Sequence, residues 1–150
     1  MTVQNLMKAV EARINGCWPG EEVYTNYLPK DFKRPSFALE LQKDEWTDVN
    51  IALIHRTVTL LLTGFVATDA YGDSDRDVLN QRMETACGLF ACGALPVDDR
   101  AIRVQTIRGT GAPDFFEVTL IFSWIDVRPD AIAPDAPHME HFELNMTAKE

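Results

Sequence analysis

The stretch SFALELQKDEWTDVNIALIHRTVTLLLTGFV, from Ser36 to Val66, decides the fold because it contains two runs of alternating side chains. The first run has apolar residues of one parity at Phe37, Leu39 and Leu41. The second run has them at Val58, Leu60, Leu62 and Val66. Alternation with a period of two is typical of half-buried strands. Asp48 and Asn50 supply turn residues between the runs, so the stretch predicts a long antiparallel hairpin.

Two amphipathic helices are predicted on either side of this hairpin. The first extends from about residue 3 to residue 15, with Thr2 as its cap and a short strand, 22–24, after it. Its apolar face is formed by Val3, Leu6, Met7, Val10 and Ile14. The second helix lies in DSDRDVLNQRMETACGLFACG and is capped by Ser74 or Asp73. Its apolar face is formed by Leu79, Met83, Ala86 and Phe90, at helical spacing.

A second hairpin is predicted from AIRVQTIR and FFEVTLIFSWIDV around the turn GTGAPD. Its inward residues are expected to be Ile102, Val104, Phe116, Val118, Leu120, Phe122 and Trp124. The element order predicts an α+β fold: a mostly antiparallel sheet built from two long hairpins, packed with two amphipathic helices. One domain is expected over residues 1–128. Residues 129–150 are predicted to be a Pro-rich acidic C-terminal arm.

Charge and cysteine usage exclude several classes of protein. A net charge of -9 in 150 residues argues against a nucleic-acid binder that works by phosphate neutralisation. The three cysteines form no CxxC pair, which favours a reducing compartment over a disulfide scaffold. The N-terminus has no signal-peptide pattern, and the longest apolar run, Leu60–Ala67, is too short to span a bilayer.

The sequence offers few groups for chemistry. His138 and His141 have no further ligand nearby, and the glycine-rich segment Gly109–Pro113 matches no phosphate-binding loop. The acids Asp69, Asp73, Asp75 and Asp77 lack the calcium-loop pattern and suit a helix start instead. We therefore predict no catalysis, no metal and no cofactor.

Two functional alternatives of other classes stay open at this point. One is a small enzyme that uses Cys87 with His55, although Cys87 lies near an apolar helix face and suits an inert buried thiol. The other is a small-ligand module that binds in the concave face of the sheet, for which the sequence gives no polar cluster.

The tip of the first hairpin is a candidate interface. The polar parity of this hairpin, with Glu40, Gln42 and Thr57, suits water, but near the tip the same face is predicted to carry Trp46, Ile51 and Leu53. An apolar tip suggests contact with another chain. The alternative is that a loop or the C-terminal arm of the same chain covers it.

A second candidate interface is basic. Lys30, Lys33 and Arg34 lie before Pro35, which favours an extended backbone at Arg34 and starts the strand. We expect these side chains on a stiff loop outside the strand. They either pair with the acidic surface of a neighbouring protein or serve only solubility.

The order of these elements resembles one family. The segments EEVYTNYL, KDFKRPSFALEL, RTVTLLLTGFV, DSDRDVLNQRMETACGLF and FEVTLIFSWIDV are similar to the tail terminator proteins of tailed bacteriophages, especially the small kind in contractile-tailed phages and phage-like particles. The resemblance covers residues 1–128. The arm after Arg128 is longer than the family pattern.

The resemblance implies a non-enzymatic virion protein. Such proteins form a ring, typically of six copies, that caps the tail tube and sheath, stops tube growth and offers a surface to the neck or connector. DNA passes through the bore without specific binding, and no membrane is involved. The implied location is the tail and neck of the virion, assembled in the bacterial cytoplasm. The rival within this class is another neck, connector or tail-completion protein.

The arm adds a third candidate interface. The segment FELNM, with Phe142 and Leu144, is predicted to add a strand to an exposed sheet edge of a neighbouring subunit.

Overall fold

A computed structural model describes residues 1–129, which form two helices and six strands. The predicted C-terminal arm and its candidates Phe142 and Leu144 lie outside the described residues. In chain order the elements are α1 (Val3–Cys17), β1 (Glu22–Thr25), β2 (Ser36–Asp48), β3 (Leu53–Phe65), α2 (Arg76–Phe90), β4 (Ala94–Val97), β5 (Arg100–Gly111) and β6 (Phe116–Val127).

The strands form one sheet in the order β1-β2-β3-β6-β5-β4. Only the edge pair of β1 and β2 is parallel, and the other four pairs are antiparallel. The two long hairpins, β2–β3 and β5–β6, lie side by side through β3 and β6. The prediction of an α+β fold with a mostly antiparallel sheet built from two long hairpins is confirmed.

Both helices begin at a side-chain cap. The Thr2 hydroxyl accepts a hydrogen bond from the Asn5 backbone N–H at 3.2 Å, as predicted. The prediction that Ser74 or Asp73 caps α2 is wrong, because the Asp75 carboxylate accepts from the backbone N–H groups of Asp77 and Val78. Ser74 instead donates its hydroxyl to Asp114 at 2.8 Å.

The core lies between the sheet and both helices, which pack on the same face. Its apolar side chains, with those packed at its margin, include the inward residues predicted for α1, α2 and the two hairpins, except Leu41. Fully buried members are Leu6, Val10, Phe37, Leu39, Val58, Leu60, Leu62, Ala86, Phe90, Phe116, Val118, Leu120 and Phe122. Gly64 pairs with Phe116 across the β3–β6 ladder, and the ring of Phe116 fills the space where a side chain would stand. Within residues 1–129, no helix covers the opposite face of the sheet.

A β-bulge in β2 changes which residues face the helices. The register with β3 shifts between Leu41 and Lys43, so that side chains of even number face the helices after the shift. Leu41, expected in the core, is 41% exposed. Trp46 lies directly opposite Arg56 and stacks on it, on the helix-bearing face. Its predicted place on the helix-free face is therefore wrong, because the extra residue at the bulge reverses the alternation.

Candidate interaction surface

The thiol–imidazole pair considered for catalysis is separated by the sheet. Cys87 lies on α2 against Gly109, on the helix-bearing face, whereas His55 pairs with Ile125 on the helix-free face. Burial, with a further contribution from the charge of Glu84, raises the pKa of the Cys87 thiol. A thiol with a raised pKa is a poor nucleophile. Residues 1–129 thus give no support to a cysteine-dependent mechanism that uses these two groups.

Metal binding and membrane crossing find no support in residues 1–129 either. No group of three or more His, Cys, Asp or Glu side chains there could hold a metal ion. The candidate pair His138 and His141 lies beyond those residues. Within the same part of the chain, no helix combines the length and apolar character that crossing a bilayer requires.

The predicted basic cluster divides into exposed lysines and an engaged arginine. Lys30 is exposed, and the Lys33 ammonium lies 3.4 Å from Glu22 in an exposed ion pair. Arg34 is bound within the subunit instead: its guanidinium lies 3.0 Å from the Asp114 carboxylate and donates to the Val66 carbonyl at 3.3 Å. The expected surface patch is reduced to Lys30 and Lys33.

Arg34 joins three segments that meet at one end of the sheet. Its guanidinium lies 5.2 Å from the ring centre of Phe32 and 5.1 Å from that of Phe65. Asp114, which it binds, also accepts the Ser74 hydroxyl, so the segment before α2 and the β5–β6 turn are tied to the start of β2. Stacking on aromatic rings together with a carboxylate pair is a favourable setting for arginine.

The Asp114 contacts predict a small dependence of stability on pH. The hydrogen bond from Ser74, with a smaller contribution from Arg34, holds the pKa of Asp114 below its ordinary value despite slight burial. A lowered folded-state pKa gives stability that is present above the unfolded value, about 3.9, and lost as the pH falls through the folded value. We expect Asp114→Asn to flatten the loss of stability below about pH 4, measured as the urea midpoint against pH. The control is Asp99→Asn, in an exposed turn; parallel curves for Asp114→Asn and the unaltered protein would contradict the prediction.

Two further arginines are held in the same way. Arg56, with 8% of its side chain exposed, lies 2.7 Å from Asp44 and between the rings of Trp46 and Trp124, at 4.4 and 5.0 Å. Its guanidinium also donates to the Met1 carbonyl at 3.2 Å. These contacts fix the second half of β2 and the position of Trp46.

The third arginine, Arg82 of α2, binds Glu21 with two donors. Its guanidinium lies 5.1 Å from the ring of Trp18 and 4.5 Å from that of Phe37. It therefore joins α2 to the segment between α1 and β1.

The hairpin tip carries an apolar surface, which we call the tip patch: Ile51, Leu53, Ile125 and Val127. Ile51 is 92% exposed, Ile125 and Val127 are about half exposed, and Leu53 pairs with Val127 on the helix-free face. The predicted positions of Ile51 and Leu53 at this tip agree with the structure, whereas Trp46 lies on the other face. Exposed apolar side chains grouped at one tip are typical of contact with another molecule.

Each edge of the sheet is covered over only part of its length. On one side β1 pairs with Ser36–Leu39, and the Asn26 side chain accepts from the Leu41 N–H. On the other side β4 pairs with Arg100–Arg103. Among residues 1–129 no strand pairs with the outer side of Lys43–Asp48, the β2 free segment, or of Thr106–Gly111, the β5 free segment. Unpaired strand edges of this length are open to another chain.

Proline protects one neighbouring edge. Gly93, just before β4, accepts a hydrogen bond from the Val104 N–H, so by alternation Pro96 directs its backbone toward the outer side of the sheet. Proline has no N–H, so β4 cannot accept a full further strand. The two free segments contain no proline.

Comparison with known proteins adds no family. No family model and no curated protein matches the chain. The similar solved structures include one chain that carries no functional description: the similarity covers 85% of this chain and 96% of that chain, with 16% sequence identity and a TM-score of 0.45.

Proposed function

We propose that this chain is a structural virion protein of the tail terminator kind, whose copies join head to tail into a ring. The ring would cap the tail tube and sheath, stop their growth and present a surface to the neck. The observation that carries self-assembly is the pair of free segments at opposite edges of one sheet. The place in a phage tail rests on the sequence resemblance alone.

Two features of the described residues, and the charge of the whole chain, support an assembly role over a chemical one. The tip patch is apolar and exposed. The three engaged arginines hold loops and strand ends in fixed positions, so little ordering would be needed when another copy binds. The net charge of -9 keeps nonspecific contact with DNA weak, which suits a bore through which DNA passes.

Assembly of the purified full chain tests this proposal. We expect light scattering after size exclusion to give a closed oligomer, and electron microscopy to show rings with a central hole. Added to growing tail tubes, the rings should shorten the tubes and appear at one end only. A monomer at every concentration would overturn the proposal. Rings that do not bind tail tubes but bind a head connector would identify a neck protein instead.

A further inference from the structure

The two free segments present their backbone groups in matching order. Val49 donates its N–H to the Leu53 carbonyl, and antiparallel pairs alternate, so Asp44, Trp46 and Asp48 direct N–H and C=O away from β3. In β5, Ala112 donates to the Phe115 carbonyl, so Ile107 and Gly109 direct theirs away from β6 by the same alternation. In both segments the residues with outward backbone groups occupy positions on the helix-bearing face, where Gly109 has no side chain.

We propose that the β2 free segment pairs in antiparallel register with the β5 free segment of a second copy, with Trp46 opposite Ile107 and Glu45 opposite Arg108. Within one sheet β2 and β5 run in opposite directions, so two copies placed side by side in one orientation bring them together antiparallel. This register aligns the outward backbone groups of Trp46 with those of Ile107.

The register also gives favourable cross-strand neighbours. Trp46, 51% exposed, meets the half-buried Ile107 on the helix-bearing face. On the opposite face the exposed Glu45 meets the exposed Arg108, and Thr47 meets Thr106. Aromatic with β-branched, opposite charges, and threonine with threonine are pairs that stabilise sheets.

Other registers are less favourable. Sliding one copy by two residues sets Lys43 opposite Arg108, which places like charges together. Sliding it the other way sets Thr47 opposite Arg108 and leaves Glu45 without its partner. The charge pattern therefore selects one register of the three.

Charge also favours head-to-tail contact over a two-fold dimer. Each β2 free segment carries Asp44, Glu45 and Asp48 against Lys43, so pairing β2 with β2 would bring two net-negative edges together, whereas pairing β5 with β5 would bring two copies of Arg108 together. After two copies join head to tail, each still has one free segment, so further copies can add until a ring closes. This inference rests on the proposed function for the closure, but the register itself does not.

Closure requires strands inclined to the ring axis. Trp46 aligns with Trp124 of β6, and Ile107 aligns with Leu120, so joined copies are offset by about four residues, or about 14 Å, over the four strand spacings, about 19 Å, that separate β2 of one copy from β2 of the next. The resulting inclination is about 36°, close to the tilt of about 40° common in closed barrels.

A disulfide between copies tests the register. In a Cys17→Ser/Cys92→Ser background of the full chain, Glu45→Cys with Arg108→Cys places two thiols at directly opposed positions, whose spacing in a non-hydrogen-bonded pair suits a disulfide. Within one copy these positions are three strand spacings apart, about 14 Å, so they cannot join internally. We expect mild oxidation to give a ladder of covalent multimers on a non-reducing gel, which reductant removes.

Matched variants make the outcome decisive. Thr47→Cys with Arg108→Cys, shifted by two residues, should cross-link at least tenfold more slowly. Glu45→Cys alone should give no covalent dimer, and a dimer from it would indicate β2–β2 pairing and overturn the inference. Rings that assemble without the expected cross-link would overturn the register and leave the proposed function standing. A chain that neither assembles nor cross-links would overturn both.

Discussion

Gly64→Ala is expected to lower the free energy of unfolding by about 3 kcal/mol. A β-carbon at Gly64 would overlap three ring atoms of Phe116, which lies opposite it in the β3–β6 ladder. That ring is fully buried, and its centre lies 6.3 Å from that of Phe37, so it has little room to move. Urea unfolding, followed by circular dichroism, measures the change.

Two variants control this experiment. Gly88→Ala replaces a glycine in α2 with open space around it and should raise stability by about 0.5–1 kcal/mol, because alanine favours a helix. Adding Phe116→Leu to Gly64→Ala should recover part of the lost stability, because the smaller leucine side chain leaves room for the β-carbon at position 64. An unfolding midpoint for Gly64→Ala equal to that of the unaltered protein would disprove the steric account.

Arg56→Met is expected to lower the free energy of unfolding by a similar amount, about 3 kcal/mol. The substitution keeps much of the volume between Trp46 and Trp124 but removes the donor to the Met1 carbonyl and leaves Asp44 without its cation. An uncompensated carboxylate that is largely shielded from water is destabilising. Urea titration followed by tryptophan fluorescence reports both stability and the surroundings of the two indoles.

A double-mutant cycle separates the ion pair from the packing. If the ion pair accounts for the effect, the double variant Arg56→Met/Asp44→Leu should lose less stability than the sum of the two single variants. The reason is that Asp44→Leu removes the carboxylate that Arg56→Met leaves without its cation. Strict additivity would show that packing between the indoles, rather than the charge pair, accounts for the loss. Lys8→Glu, on the exposed side of α1, serves as a neutral surface control.

Strand alternation is sufficient to predict the sheet, but not which side chains of β2 face the helices along its whole length. Phe37, Leu39 and the apolar residues of β3 follow a period of two, and burial enforces it. Alternation alone does not locate the bulge after Leu41, because the polar residues around it suit either face. A signal was present, since the apolar parity is odd through Leu41 and even at Trp46. The same change of parity occurs in β5 between Val104 and Ile107, where a second register shift lies.

The role of Arg34 could not be predicted from its neighbours in the sequence. Its carboxylate partner, Asp114, lies 80 residues further along the chain, in a turn that only the folded sheet brings close. Arg56 and Arg82 show the same dependence, because each meets aromatic rings from two different elements. Sequence shows that an arginine is present, but its engagement depends on contacts between distant segments.

If copies pair as proposed, Pro96 bears on the accuracy of their alignment. A β-sheet edge that is open along its whole length lets an incoming chain slide and become trapped in a wrong alignment, which is one route to aggregates. Because Pro96 has no N–H, a strand that approaches β4 finds one hydrogen-bond donor missing. On this edge it gains full hydrogen bonding only at the β5 free segment. In the proposed pairing, this proline would shorten the lifetime of misaligned contacts and leave the aligned contact unaffected.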